Sequence, residues 1–93
     1  MSGAMQVQID LDYPIQVDGV EVRYLTMRRP KVRDQKASAV AGTTDVDKEL
    51  ALFSNLCMVT PATLDELDML DYGKLQDAYS GFRKPSSETT TSD

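Results

Sequence analysis

The sequence predicts an α+β domain: an N-terminal β-hairpin packed on a small bundle of three to four short helices, followed by a disordered C-terminal tail. Three observations carry this. Residues 6–12 (QVQIDLD) alternate polar and apolar without a break, the pattern of a half-buried strand. Asp18-Gly19 stands between Val17 and Val20, the strongest short signal for a hairpin turn. From residue 45 onward the apolar spacing changes to three and four, which is helical. At 93 residues the chain has room for one core and not two. Residues 6–83 form the expected domain, and residues 1–5 and 84–93 are expected to be disordered.

The first strand continues its odd-numbered apolar series through Tyr13, Ile15 and Val17, with Pro14 as an interruption that cannot donate to a ladder. A type I′ turn at Asp18-Gly19 pairs Val17 with Val20, Ile15 with Val22 and Tyr13 with Tyr24. Beyond Tyr24 the apolar phase moves to Leu25 and Met27, which calls for a one-residue bulge near Pro14 or Tyr24. The hairpin therefore spans residues 7–27. Pro30 then opens a weak helix over 31–41, with Val32, Ala39 and Val40 roughly on one side.

A stronger helix follows over 45–58, capped by Thr44 or Asp45. Val46, Leu50, Phe53 and Cys57 form its stripe, widened by Leu52 and Leu56. Thr60-Pro61 starts a short helical turn over 61–67, where Thr63 and Glu66 offer a capping box. Asp68 caps a last helix over 69–82, whose inner face is Tyr72, Leu75, Ala78, Tyr79 and Phe82. Gly73 weakens its first turn by up to about 1 kcal/mol relative to alanine. Leu50, Phe53, Leu56, Leu75 and Tyr79 are the expected buried centre. Residues 84–93 have no aliphatic or aromatic side chain to bury.

Composition narrows function by exclusion. The chain has no histidine, no tryptophan and one cysteine, Cys57. That removes histidine-based acid–base and nucleophilic catalysis, a His/Cys zinc site and an intrachain disulfide. No apolar run reaches the ~18–20 residues that span a bilayer. The reading is a soluble, intracellular, non-enzymatic domain with no cofactor and no metal. Cys57 lies on the apolar face and is expected to be a buried structural thiol.

Charge is unevenly placed. Residues 23–36 hold Arg23, Arg28, Arg29, Lys31, Arg33 and Lys36 against Asp34, net +5, while the whole chain is −5. A small DNA-associated regulatory module using Arg28 to Lys36 is one alternative reading. The acidic remainder and the lack of aromatic residues among these cations argue against it. Residues 45–77 are net −6, so head-to-tail self-association, weakened by salt, is also expected. The acids Asp65, Glu66, Asp68, Asp71 and Asp77 do not follow calcium-loop order. Capping explains Asp68 and extends to Asp71.

The ordered pieces are Pro14-Ile15-x-Val17-Asp18-Gly19, then Leu25-Thr26-Met27-Arg28-x-Pro30, then a glycine-broken helix pair. Leu67-Asp68-x-Leu70-Asp71-Tyr72-x-x-Leu75-Gln76 and Gly81-Phe82 close the series. In order and spacing it resembles the small tail assembly chaperones of contractile-tailed phages and prophages, the Mu-like group in particular. The resemblance covers residues 7–82. Lys31, Arg33 and Gln35 depart from it. It implies a helper of tail morphogenesis that binds the tape measure protein, keeps it soluble, helps recruit tail tube subunits and is not part of the mature virion. A structural tail completion protein is the other alternative. Expected partners are the tape measure and tail tube proteins, with neither nucleic acid nor membrane. Leu52 and Leu56 on the flank of the second helix, with Tyr72 and Tyr79 on the last, are the expected contacts.

Overall fold

Two strands and four helices occupy residues 5–84, the part of the chain that the computed structural model describes. They run in the order β1 (Gln6–Val17), β2 (Val20–Arg28), α1 (Val32–Ala39), α2 (Asp45–Cys57), α3 (Pro61–Asp65) and α4 (Met69–Phe82). The expectations for residues 1–4 and 85–93 lie outside the described residues.

β1 and β2 form an antiparallel hairpin. Asp18 and Gly19 have φ of 52° and 81°, the left-handed pair that a type I′ turn needs. Val17 lies opposite Val20 and Ile15 opposite Val22, as the turn dictates. The expected pairing of Tyr13 with Tyr24 does not form. Tyr24 stands opposite Asp10, and Leu11, Asp12, Tyr13 and Pro14 together face Arg23 alone. The bulge thus holds three extra residues where the sequence calls for one. Any odd number reverses the side-chain phase, so apolar still faces apolar, but the partners move by two: Leu25 meets Ile9 and Met27 meets Val7, where a one-residue bulge would set them opposite Leu11 and Ile9. What enlarges the bulge is a carboxylate from α4, described below. Met5 also belongs to the fold, because its carbonyl accepts the Arg29 N–H at 2.8 Å.

α2 packs against β2 and α4 against β1. α1 is shorter than 31–41 and is N-capped at Lys31, which leaves Pro30 just outside it. Its inward residues are Asp34 and Ser38, while Val32 and Val40 are exposed. The apolar side chains of α1 therefore do not set its orientation; Arg28 does, by gripping Asp34. Thr44 caps α2, its hydroxyl accepting the Asp47 N–H at 3.0 Å. Pro61 is the first residue of α3, and the Thr60 hydroxyl accepts the Thr63 N–H at 3.3 Å. Thr63 is buried with its own hydroxyl 3.1 Å from that of Thr60. α4 begins and ends where its pattern predicts, and Asp68 accepts the Leu70 N–H at 2.9 Å.

α2 stops at Met58, which takes a left-handed conformation (φ 58°) with its side chain 83% exposed. An L-residue pays roughly 1–2 kcal/mol for that geometry, and glycine is the usual occupant. Replacing it costs little packing. Met58→Gly should raise stability by up to about 1 kcal/mol, read as a higher urea midpoint at unchanged slope.

The core gathers Ile9, Leu25 and Met27 from the hairpin, Leu52, Phe53, Leu56 and Cys57 from α2, Leu64 from α3, and Leu75 and Phe82 from α4. Phe53 is its centre. The ring is fully buried, 5.7 Å from Tyr72 and 5.7 Å from Tyr79, at tilted angles favoured by aromatic pairs. Leu56 and Leu75 are sealed as expected, whereas Leu50 and Tyr79 are only half-buried at its margin. Val46, read as part of the α2 stripe, is exposed because nothing covers the first turn of that helix on this side.

Candidate functional site

Two buried carboxylates tie the helices to the hairpin. Asp34 accepts both terminal nitrogens of Arg28, at 2.9 and 2.7 Å, and the Lys31 N–H at 2.8 Å. The Arg28 hydrogen bonds hold the Asp34 carboxyl down to about 2 against the cost of its burial. Arg28, itself partly exposed, is therefore paired with a buried carboxylate, and the basic cluster has one unpaired charge fewer than its sequence shows. Asp71 is fully buried at the start of α4. Its Oδ1 accepts the Asp12 N–H at 2.8 Å and its Oδ2 the Tyr13 N–H at 3.0 Å. Lys74 adds a contact to Asp71 at 3.4 Å and one to Asp12 at 3.0 Å. Burial pushes the Asp71 carboxyl up, but these N–H donors and Lys74 outweigh it and leave it below the usual range. Asp71 thus caps the strand bulge and not its own helix, a correction to its reading from sequence.

Neither carboxylate is placed for acid–base work, since all its oxygens are engaged in structure. Burial pushes the Cys57 thiol up to about 11, so it is protonated at neutral pH and a poor nucleophile. No group of three potential metal ligands occurs among the described residues. None of their helices is long and apolar enough to cross a membrane. Two grooves on the surface of the described residues are lined by side chains expected as contacts.

The wider groove, about 430 Å³, lies between α2, α3 and the start of α4. Val46, Leu50, Leu64, Leu67, Met69 and Tyr72 give it an apolar lining, with Glu49, Asp65 and Gln76 at its polar positions. Met69 stands 78% exposed beside it. The Tyr72 hydroxyl donates to Glu49 at 2.6 Å, and Gln76 donates to the same carboxylate oxygen at 3.1 Å. Burial first, and then Glu49, raise the Tyr72 hydroxyl well above the usual phenol range. The ring is therefore a neutral, fixed wall of the groove.

The second groove, about 260 Å³, opens between the start of α1 and the end of α4. Its floor is Leu52, Tyr79 and Phe82, and its rim carries Arg29, Lys31 and Arg83. The Arg29 guanidinium lies 5.6 Å over the Phe82 ring and that of Arg83 5.8 Å over Tyr79.

The four side chains expected as contacts are thus divided. Leu52 and Tyr79 share the second groove and Tyr72 lines the first. Leu56, 1% exposed, lies beneath the surface in the core. Leu52 is itself only 8% exposed, so it offers an edge and not a face. Val46 and Met69 are the groove residues missed from sequence. Val46 fits the helical core stripe, and Met69 is simply the first residue after a cap. Glu49 of α2 left no signal in sequence, because only packing brings it to Tyr72 and Gln76 of α4.

Residues 8–84 match a family described as phage tail assembly chaperone proteins, E, or 41 or 14. Comparison with curated proteins and with solved structures found no match.

Proposed function

The chain belongs to the phage tail assembly chaperone family, and from that membership we propose that it binds the tape measure protein, keeps this long client soluble and helps recruit tail tube subunits around it. It acts without catalysis, before the tail is complete, in the cytoplasm of the host. The observation that carries the client-binding part is the wider groove. A domain this small leaves Val46, Met69 and Tyr72 together at an open apolar surface, and such contiguous surface marks a protein-binding site. Tyrosine suits it, being apolar in body and polar at the tip, dry when the groove is filled and wet when empty. Leu52 and Tyr79 extend the contact at the second groove, and Leu56 supports it from below.

Met69→Asp tests this reading with little risk to the fold, because the side chain is 78% exposed. The variant should melt within a few degrees of the parent and fail to co-purify with the tape measure protein of its phage. Retained co-purification would remove this groove from the client contact.

A further inference from the structure

We infer that the groove between α1 and α4 accepts a protein segment of a particular kind, one in which apolar side chains are flanked by carboxylates. The inference rests on the reading that the chain binds protein segments, and it adds the chemistry that this groove selects. Leu52, Tyr79 and Phe82 make the floor apolar, while Arg29, Lys31 and Arg83 line it and no carboxylate among the described residues does. Lys31 and Arg83 have no carboxylate partner among the described residues. A neighbouring hollow shares Arg29, Pro30 and Lys31 and adds Arg33, so the cationic surface continues past the groove.

Two of the guanidinium groups are already positioned, Arg29 on Phe82 and Arg83 on Tyr79. Stacking leaves the N–H edge of the Arg83 guanidinium available for a planar carboxylate. Because stacking restricts it beforehand, less side-chain entropy is lost on binding. The volume, about 260 Å³, falls below the ~300–1,000 Å³ of ordinary small-molecule sites and suits the side chains of a segment. Nucleic acid would satisfy the cations but not the floor. The guanidinium groups cover one face of each aromatic ring, which leaves a poor platform for stacking bases. The residues outside 23–36 sum to −10, which repels a polyphosphate wherever it extends beyond the patch.

The test uses the full chain and three fluorescent probes. Two are synthetic helical peptides with the same leucine stripe, one flanked by glutamates and one by lysines. The third is an oligothymidine. Anisotropy is read at low salt and again at about 500 mM, where the Debye length has fallen to roughly 4 Å. The glutamate peptide should bind, lose at least tenfold in affinity at high salt, and lose at least tenfold in the Lys31→Glu/Arg83→Glu double variant. Both positions are exposed, so circular dichroism and melting of that variant should match the parent. The net charge of −5 favours the lysine peptide in bulk, so binding of the glutamate peptide has only a local source. No binding of the glutamate peptide, binding indifferent to the double variant, or oligothymidine bound through the same two residues overturns the inference. A chain that holds the tape measure protein but ignores the glutamate peptide refutes this inference alone. One that binds the peptide but not the tape measure protein refutes the client reading alone.

Discussion

Phe53→Ala should remove most of the stability of the domain, at a cost of about 3–5 kcal/mol. The ring projects from α2, is fully buried between Tyr72 and Tyr79 of α4, and shares one core with Ile9, Leu25 and Met27 of the hairpin. The neighbours cannot collapse into the space, because Leu56, Leu75 and Met27 are themselves sealed in place. A domain of this size has a total stability of roughly 5–10 kcal/mol. The melting temperature should therefore drop by at least about 15 °C, or the cooperative transition should vanish. A variant melting within two or so degrees of the parent would place Phe53 outside the core and undo the packing described above.

Asp71→Asn is expected to be the second most damaging change, although it alters one atom. Both carboxylate oxygens accept backbone N–H groups of the bulge, at 2.8 and 3.0 Å. An asparagine offers one acceptor and turns an NH₂ group toward the other donor. The expected loss is about 2–4 kcal/mol, from an unmet buried donor and the lost charge-assisted bonds. Asp68→Asn is the matched control, because asparagine caps a helix as well as aspartate does and should change stability little.

The same carboxylates make stability depend on acid. A carboxyl held below its unfolded value stabilises the fold above that value, about 3.9, and the contribution disappears as pH falls through the folded value. For Asp34, held at about 2, this amounts to about 2 kcal/mol lost between roughly pH 4 and pH 2. Asp71 is shifted in the same direction and adds to the loss. Denaturant midpoints should stay flat from neutrality to about pH 5 and then fall. A midpoint unchanged at pH 2.5 would mean that neither carboxylate is tied to the hairpin as described.

What the sequence made legible is what is encoded locally. Asp68 before an apolar helical series located α4, and Asp18-Gly19 located the hairpin turn, since each signal lies within a few residues of its effect. The odd parity of the bulge was legible from the shift of apolar phase at Leu25. Its size was not, because it depends on a carboxylate far along the chain that binds only backbone, and backbone leaves no mark in sequence. For the same reason Asp71 passed for a helix cap. Periodicity placed Val46 and Leu56 on one broad face of α2 but could not say which of them a neighbour covers. The outcome is a sealed Leu56 and an open Val46. The division of the contact residues between two grooves has a similar cause. Leu52 of α2 and Tyr79 of α4 come together only because the start of α1 and the end of α4 lie on the same side of the core, beside Arg29 and Lys31.

The central claim is that this chain keeps a long tail protein in solution. It is tested most directly by expressing the tape measure protein of the same phage with and without this chain and measuring the client in the supernatant after centrifugation. The client should be largely insoluble alone and soluble with the chain, in a complex that survives purification. An equal soluble fraction in both conditions, with no complex recovered, would contradict it.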